Sequence, residues 1–205
     1  AGSRDMQICL AHGYGVDKQE RCKNTLASVQ ALLGGQSIEL YVEIPLDGIG
    51  ALNDLLGGVT VTLLDDFTAS DPTMTAGKTL TLTGQQAEIL VRSRMSMAVG
   101  TNEARMSRQR IFMDAAVPMI RERISENSGF ASEMLDSLSP YLTTNMVRGR
   151  MINELNKAYH YDVKPVEYLT GEHTIGDDGF VEFHAASQSA VDFVLSAFYT
   201  KRDAQ

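Results

Sequence analysis

The chain has 205 residues, 43% of them apolar, with 18 Lys and Arg against 26 Asp and Glu and a formal net charge of −8. That length suits a single domain, 1–205, with a large core. The acidic balance excludes a general nucleic-acid binder, which needs a broad basic face.

No stretch approaches the roughly 18 unbroken apolar residues of a transmembrane helix. The chain opens AGSRDMQ, without an initiator methionine or a recognisable leader, as expected of a trimmed or mature polypeptide. Cys9 and Cys22 match no metal or redox spacing and are expected as packed thiols rather than as a disulfide.

Asp17 and Glu20 have the spacing of a capping box. The apolar positions Leu26, Val29, Leu32 and Leu33 continue it as a helix, which Gly34-Gly35 stops. Ser37–Pro45 alternates Leu40, Val42 and Ile44 against Glu39, Tyr41 and Glu43, predicting a strand. Asp47 is placed to cap a short helix through Leu56, ended by Gly57-Gly58, and Val59–Leu64 alternates as a second strand. After a loop rich in Asp, Thr and Gly comes a short extended piece, Lys78–Thr83. The box Thr83-Gly-Gln-Gln86 then opens a helix to about Arg92. Asn102 is placed to cap a long helix to about Glu126, with Ile111, Ala115, Met119 and Ile120 among its apolar positions and Pro118 inside it, where it is expected to kink the helix. Helices near Ala131–Leu138 and Met146–Tyr159, extended segments at Val163–Leu169 and Gly179–His184, and a last helix from a Ser187 cap to Tyr199 complete the reading. Helix and strand in alternation predict an α/β layered architecture.

Seven of the twelve arginines lie between Arg92 and Arg123, and five of them between Arg92 and Arg110. Arg92 and Arg94 fall where one helix gives way to a loop. Arg105, Arg108 and Gln109 share a face in the first turns of the next helix, at i, i+3 and i+4. Cations at a helix N-terminus oppose the dipole, and like charges at this spacing repel. An anion bound there removes both costs and also accepts from free backbone N–H groups. Planar guanidinium forks suit phosphate oxygens. The alternative is a salt network with Asp65, Asp66, Asp71 and Glu103, and spacing alone leaves the two open. Asp65-Asp66 could hold Mg²⁺ with substrate phosphates, or simply form a solvated turn. His12, His160, His173 and His184 lack zinc-ligand spacing.

Four segments in order carry a family resemblance: LAHGYG (Leu10–Gly15), YVEIPLDGIGALNDLLGGVTV (Tyr41–Val61), LTGQQAEILVRSR (Leu82–Arg94) and RMSRQR (Arg105–Arg110). Together they resemble the LytR-CpsA-Psr family of cell-envelope proteins, clearly over about 7–120 and loosely over 121–205. The resemblance implies an α/β/α sandwich around a mixed sheet. The family's upstream membrane helix, strands and acidic metal ligand have no counterpart here, so the N-terminal strands are expected to be lacking and the Mg²⁺ ligands to lie outside this chain. It further implies transfer of a glycopolymer from polyprenyl pyrophosphate to peptidoglycan, at the outer face of the cytoplasmic membrane of a Gram-positive cell and with Mg²⁺ as cofactor. By motif, Arg92, Arg94, Arg105, Arg108 and Gln109 would bind the pyrophosphate, with Arg94 and Arg105 catalytic. A non-catalytic binder of the lipid pyrophosphate or of a wall polymer is the other reading.

Overall fold

The computed structural model describes residues 8–93, 102–158, 160–161, 168–176, 179 and 181–199, without the side chains of 9, 102 and 103. After a 3-10 helix at Ile8–Tyr14 come α1 (Lys18–Leu32), β1 (Val42–Glu43), α2 (Leu46–Leu55), β2 (Thr60–Thr62), β3 (Thr79–Thr81), α3 (Gly84–Arg92) and α4 (Asn102–Glu126). They are followed by α5 (Phe130–Leu138), β4 (Thr143–Thr144), α6 (Arg148–Ala158), β5 (Gly171–Ile175), β6 (Val181–Ala185) and α7 (Ser187–Phe198). The class is α/β, as the sequence predicts. The chain divides into two compact units: Ala1–Tyr41, Thr143–Asn145 and Val163–Gln205 make the first, and Val42–Leu142 and Met146–Asp162 the second.

In the first unit, the Asp17 carboxylate accepts from the Glu20 N–H at 2.8 Å and starts α1. The Glu20 side chain returns the favour one residue early, accepting from the Val16 N–H at 2.7 Å. The strand expected over Ser37–Pro45 shrinks to Val42–Glu43. Side chains explain the loss, because they take up backbone groups that a ladder would need. Gln30 Nε2 donates to the Ile38 carbonyl, Asn145 Nδ2 to that of Glu39, and the Tyr41 N–H donates to Asn145 Oδ1. β5 and β6 form an antiparallel ribbon that pairs Gly171 with Ala185 and Ile175 with Val181. Sequence reading found β6 but missed β5, and 163–167 of the expected extended segment lie outside the described residues. Ser187 is the first residue of α7, not its cap; Ala186 holds that place without a side-chain bond.

The second unit holds the core. Leu52, Leu56, Val59, Val61, Leu63, Phe67, Met74, Leu82, Leu90 and Phe112 are all nearly inaccessible within one cluster. Two glycines let α2 and α3 approach closely. A Cβ on Gly84 would stand 2.5 Å from Asp54 Oδ2 and 2.9 Å from the Gly50 carbonyl oxygen. Pro45, extended at φ −67°, takes the N-cap of α2, so Asp47 falls in the first turn, where its charge still suits the dipole. Thr83 and Gln86 complete their reciprocal capping box. The α2–β2 connection turns on Gly57 (φ 83°) and Gly58 (φ 96°), conformations other residues rarely adopt. Asn53, fully buried, ties this turn to the next ribbon: its Oδ1 accepts from the Val59 N–H at 2.9 Å, and its Nδ2 donates to the Leu82 carbonyl at 2.8 Å. β2 and β3 pair antiparallel, Thr60 opposite Thr81 and Thr62 opposite Thr79.

The loop between β2 and β3 is closed at its base by Leu63 N–H to Lys78 O (2.9 Å) and Gly77 N–H to Leu63 O (2.8 Å). Buried Leu63, Phe67 and Met74 pin it to the core. Two aspartates organise its turns. The Thr68 hydroxyl and N–H both donate to the Asp66 carboxylate and hold its pKa below the ordinary value. The Thr73 hydroxyl and N–H, with Gln86 Nε2, do the same for Asp71.

Replacing Asn53 with Ala strands a buried N–H and a buried carbonyl, and we expect a loss of about 2–4 kcal/mol in urea unfolding. The lowered pKa values of Asp66 and Asp71 set a pH dependence. Groups whose folded pKa lies below the unfolded one stabilise the fold fully above the ordinary carboxylate range, and that stability is lost as pH falls through the folded value. The melting temperature should therefore drop below about pH 4, and the drop should be shallower in a Thr68→Val, Thr73→Val double variant.

Candidate functional site

α3 ends at Arg92, with Ser93 as its C-cap. The Ser93 hydroxyl donates back to the Ile89 carbonyl at 2.7 Å and so closes the last turn. Arg94, one of the two arginines implied as catalytic, lies outside the described residues. α4 spans Asn102–Glu126 without interruption at Pro118. Its most deeply buried positions are Arg108, Phe112 and Ala116, spaced i, i+4, i+8, one residue on from the Ile111 and Ala115 that the sequence pattern favoured; those two pack partly buried against the core.

This phase puts Arg108 inside, at 1% exposure. Its Nη1 donates to Asp65 Oδ2 at 2.8 Å, and its Nη2 donates to the Ser93 carbonyl at 3.0 Å. Its Nε is buried with no partner. One residue on, Gln109 Nε2 donates to the Val91 carbonyl at 3.4 Å. Two adjacent α4 side chains thus hold the last turn of α3, using carbonyls that a helix end leaves unpaired. Cationic Arg108 there also suits the negative end of the α3 dipole.

Arg105 stands one turn earlier and is half-buried. Its Nε is buried with no partner, and among the described residues no carboxylate neutralises it. Arg92 is largely exposed, its side chain at 59%, and meets Glu88 only at 3.9 Å. Arg110 pairs with Asp114 at 2.8 Å along α4. The salt-network alternative therefore accounts for Arg108 and Arg110, while the Nε of Arg105, like that of Arg108, has no partner among the described residues. Sequence reading named Asp65 as one of four carboxylates and, with Asp66, as a possible Mg²⁺ holder, and did not see Ser93. The signal for Arg108 was present, since it stands four residues before Phe112 on the same stripe.

Asp65 and Asp66, which the sequence offers to Mg²⁺, already accept from donors of the protein. Asp65 gives one oxygen to Arg108, and both Thr68 donors occupy Asp66. Among the described residues of the second unit, no three ligating side chains converge. No helix there is long and apolar enough to cross a membrane.

Comparisons with known proteins agree with one another. The LytR_cpsA_psr family matches residues 7–194. No curated protein matches the chain. Among solved structures, protein gbs0355 from Streptococcus agalactiae superposes with a TM-score of 0.73 at 20% identity, over 93% of this chain and 65% of its own. TagV of B. subtilis gives 0.68 at 18% identity, over 93% of this chain and 73% of its own. TagT, solved bound to LI-WTA, gives 0.68 at 20% identity, over 93% of this chain and 69% of its own. The chain thus spans about two thirds to three quarters of the length of these relatives, and shares their fold. It belongs to the LytR-CpsA-Psr family.

Proposed function

We propose that this chain is the arginine-bearing part of a cell-envelope glycopolymer transferase, which moves a wall polymer such as teichoic acid from a polyprenyl pyrophosphate to peptidoglycan. The observation that carries the reading is Arg105, with its partnerless, buried Nε in the first turns of α4. A diphosphate oxygen would accept from it, and a negative charge there would relieve a cation placed at the wrong end of a helix dipole. Membership in the family and the likeness to TagT, whose structure holds LI-WTA, support the same substrate class.

In this reading Arg105 holds the pyrophosphate and stabilises charge that develops on its oxygens as the acceptor oxygen bonds the phosphorus that bears the polymer, the P–O–P bond breaks and polyprenyl phosphate leaves. By motif, Arg92 and Arg94 would bind the same group, and Gln109 would set its orientation. The work is positioning and neutralisation; no nucleophile of the protein is required, because the acceptor hydroxyl of peptidoglycan attacks. Mg²⁺ would be carried by carboxylates other than those described here. The envelope location and membrane anchoring belong to the proposal as well.

In protein carrying the whole domain, Arg105→Ala should lower transfer of labelled polymer from polyprenyl pyrophosphate to peptidoglycan by ~10²–10³-fold, with an unchanged far-UV circular dichroism spectrum. Full turnover in that variant removes the reading. Tight binding of the lipid pyrophosphate without turnover in the unmutated protein replaces it with that of a non-catalytic binder.

A further inference from the structure

Arg108 matches the family motif as closely as Arg105, yet its surroundings differ. It is 1% exposed, and both terminal nitrogens are committed, one to Asp65 Oδ2 at 2.8 Å and one to the Ser93 carbonyl at 3.0 Å. A diphosphate cannot reach a guanidinium enclosed in this way without displacing Asp65 or breaking the end of α3. We infer that Asp65 and Arg108 form a positioning pair, which sets the geometry of the anion site and does not itself contact the anion. The inference rests on the functional reading above for Arg105.

The geometry gives the pair its leverage. Asp65 sits in the β2–β3 loop between the buried Leu63 and the buried Phe67, so its carboxylate is anchored to the core. Arg108 carries that anchorage into α4 and, through the Ser93 carbonyl, to the C-cap of α3. The Gln109 bond to the Val91 carbonyl adds a second point, which fixes the rotation of α4 against α3. Arg105 lies one turn before Arg108 on the same helix. Any turn or slide of the α4 start would carry Arg105 with it, so the ion pair fixes where its forked donors stand. A displacement of about 1 Å at a group of this kind can cost ~10²-fold in function.

The test is calorimetric titration of the chain with inorganic pyrophosphate, without Mg²⁺ and well below the melting temperature. Asp65→Asn should weaken binding about 10- to 100-fold, whereas Asn53→Ala, which destabilises the same unit away from the site, should bind as the unmutated chain does. In a double-mutant cycle, Asp65→Asn added to Arg105→Ala should cost nothing further, because the carboxylate acts through Arg105. Undiminished affinity in a folded Asp65→Asn variant overturns the inference. So do losses that add to those of Arg105→Ala, or a loss that appears only when Mg²⁺ is supplied, which would make Asp65 a metal ligand. Should Asp65→Asn not fold, Asp65→Glu keeps the charge but moves it by a methylene: reduced affinity supports positioning, and full affinity reduces the pair to a structural one. If Arg105→Ala itself binds pyrophosphate normally, the failure lies in the functional reading and not in the pair.

Discussion

A guanidinium cannot be taken out of water alone, since the cost of an unpaired buried charge far exceeds what one side chain's packing returns. Arg108 is nonetheless placed at the head of the buried stripe of α4, followed by Phe112 and Ala116. Its burial therefore dictates the arrangement around it. A carboxylate must stand within hydrogen-bonding distance, and Asp65 does so with a quarter of its side chain still open to solvent. A further acceptor must meet the second terminal nitrogen, and the Ser93 carbonyl is free to do so because α3 has just ended. Three stretches distant in sequence are joined by one side chain, and Arg105 stands one turn before that junction on the same helix.

The pair can hold its position because the loop bearing Asp65 is itself immobilised. Phe67 and Met74 bury their side chains, the Phe67 N–H donates to the Met74 carbonyl at 2.9 Å across the loop, and the Asx turns at Asp66 and Asp71 satisfy donors that would otherwise face solvent. Gln86 links this loop to the start of α3, donating to Asp71 at 2.9 Å while it accepts from the Thr83 N–H within the capping box. One glutamine thus starts α3 and braces the loop, and Arg108 ties that same loop to the end of α3. The first unit is built differently. Cys22 and Leu33 are the apolar residues it buries deeply among those described, while Ile175, Val181, Leu195 and Phe198 stay exposed.

Much of this was legible because the relevant signals are local. Asp17, the Thr83–Gln86 box and the paired glycines at 34–35 and 57–58 act within four residues of themselves, so the bounds of α1 and α3 follow from chemistry that the sequence displays. α4 was legible by length, though Asn102 is its first residue and not its cap. The failures have a common origin in long-range partners. The alternation at Ser37–Pro45 is a sound strand signal, but Gln30 and Asn145 claim its backbone groups, and no periodicity reveals a partner 106 residues away. Likewise, β5 reads Gly-Glu-His-Thr-Ile, which gains its strand character only opposite β6.

The arginine cluster shows the same division within one motif. From the sequence, a bound anion and a salt network were competing accounts of the whole group. In the fold the salt network accounts for some members and not for others. Arg108 answers to Asp65 and Arg110 to Asp114, each at 2.8 Å, and both pairings remove positive charge from the start of α4. Neutralising those two lowers the repulsion that Arg105 would otherwise feel from its own helix. That leaves one half-buried guanidinium with an unsatisfied Nε, held in register by a neighbour that is already paired. The acids of the β2–β3 loop are likewise committed: Asp65, Asp66 and Asp71 all have donors of their own.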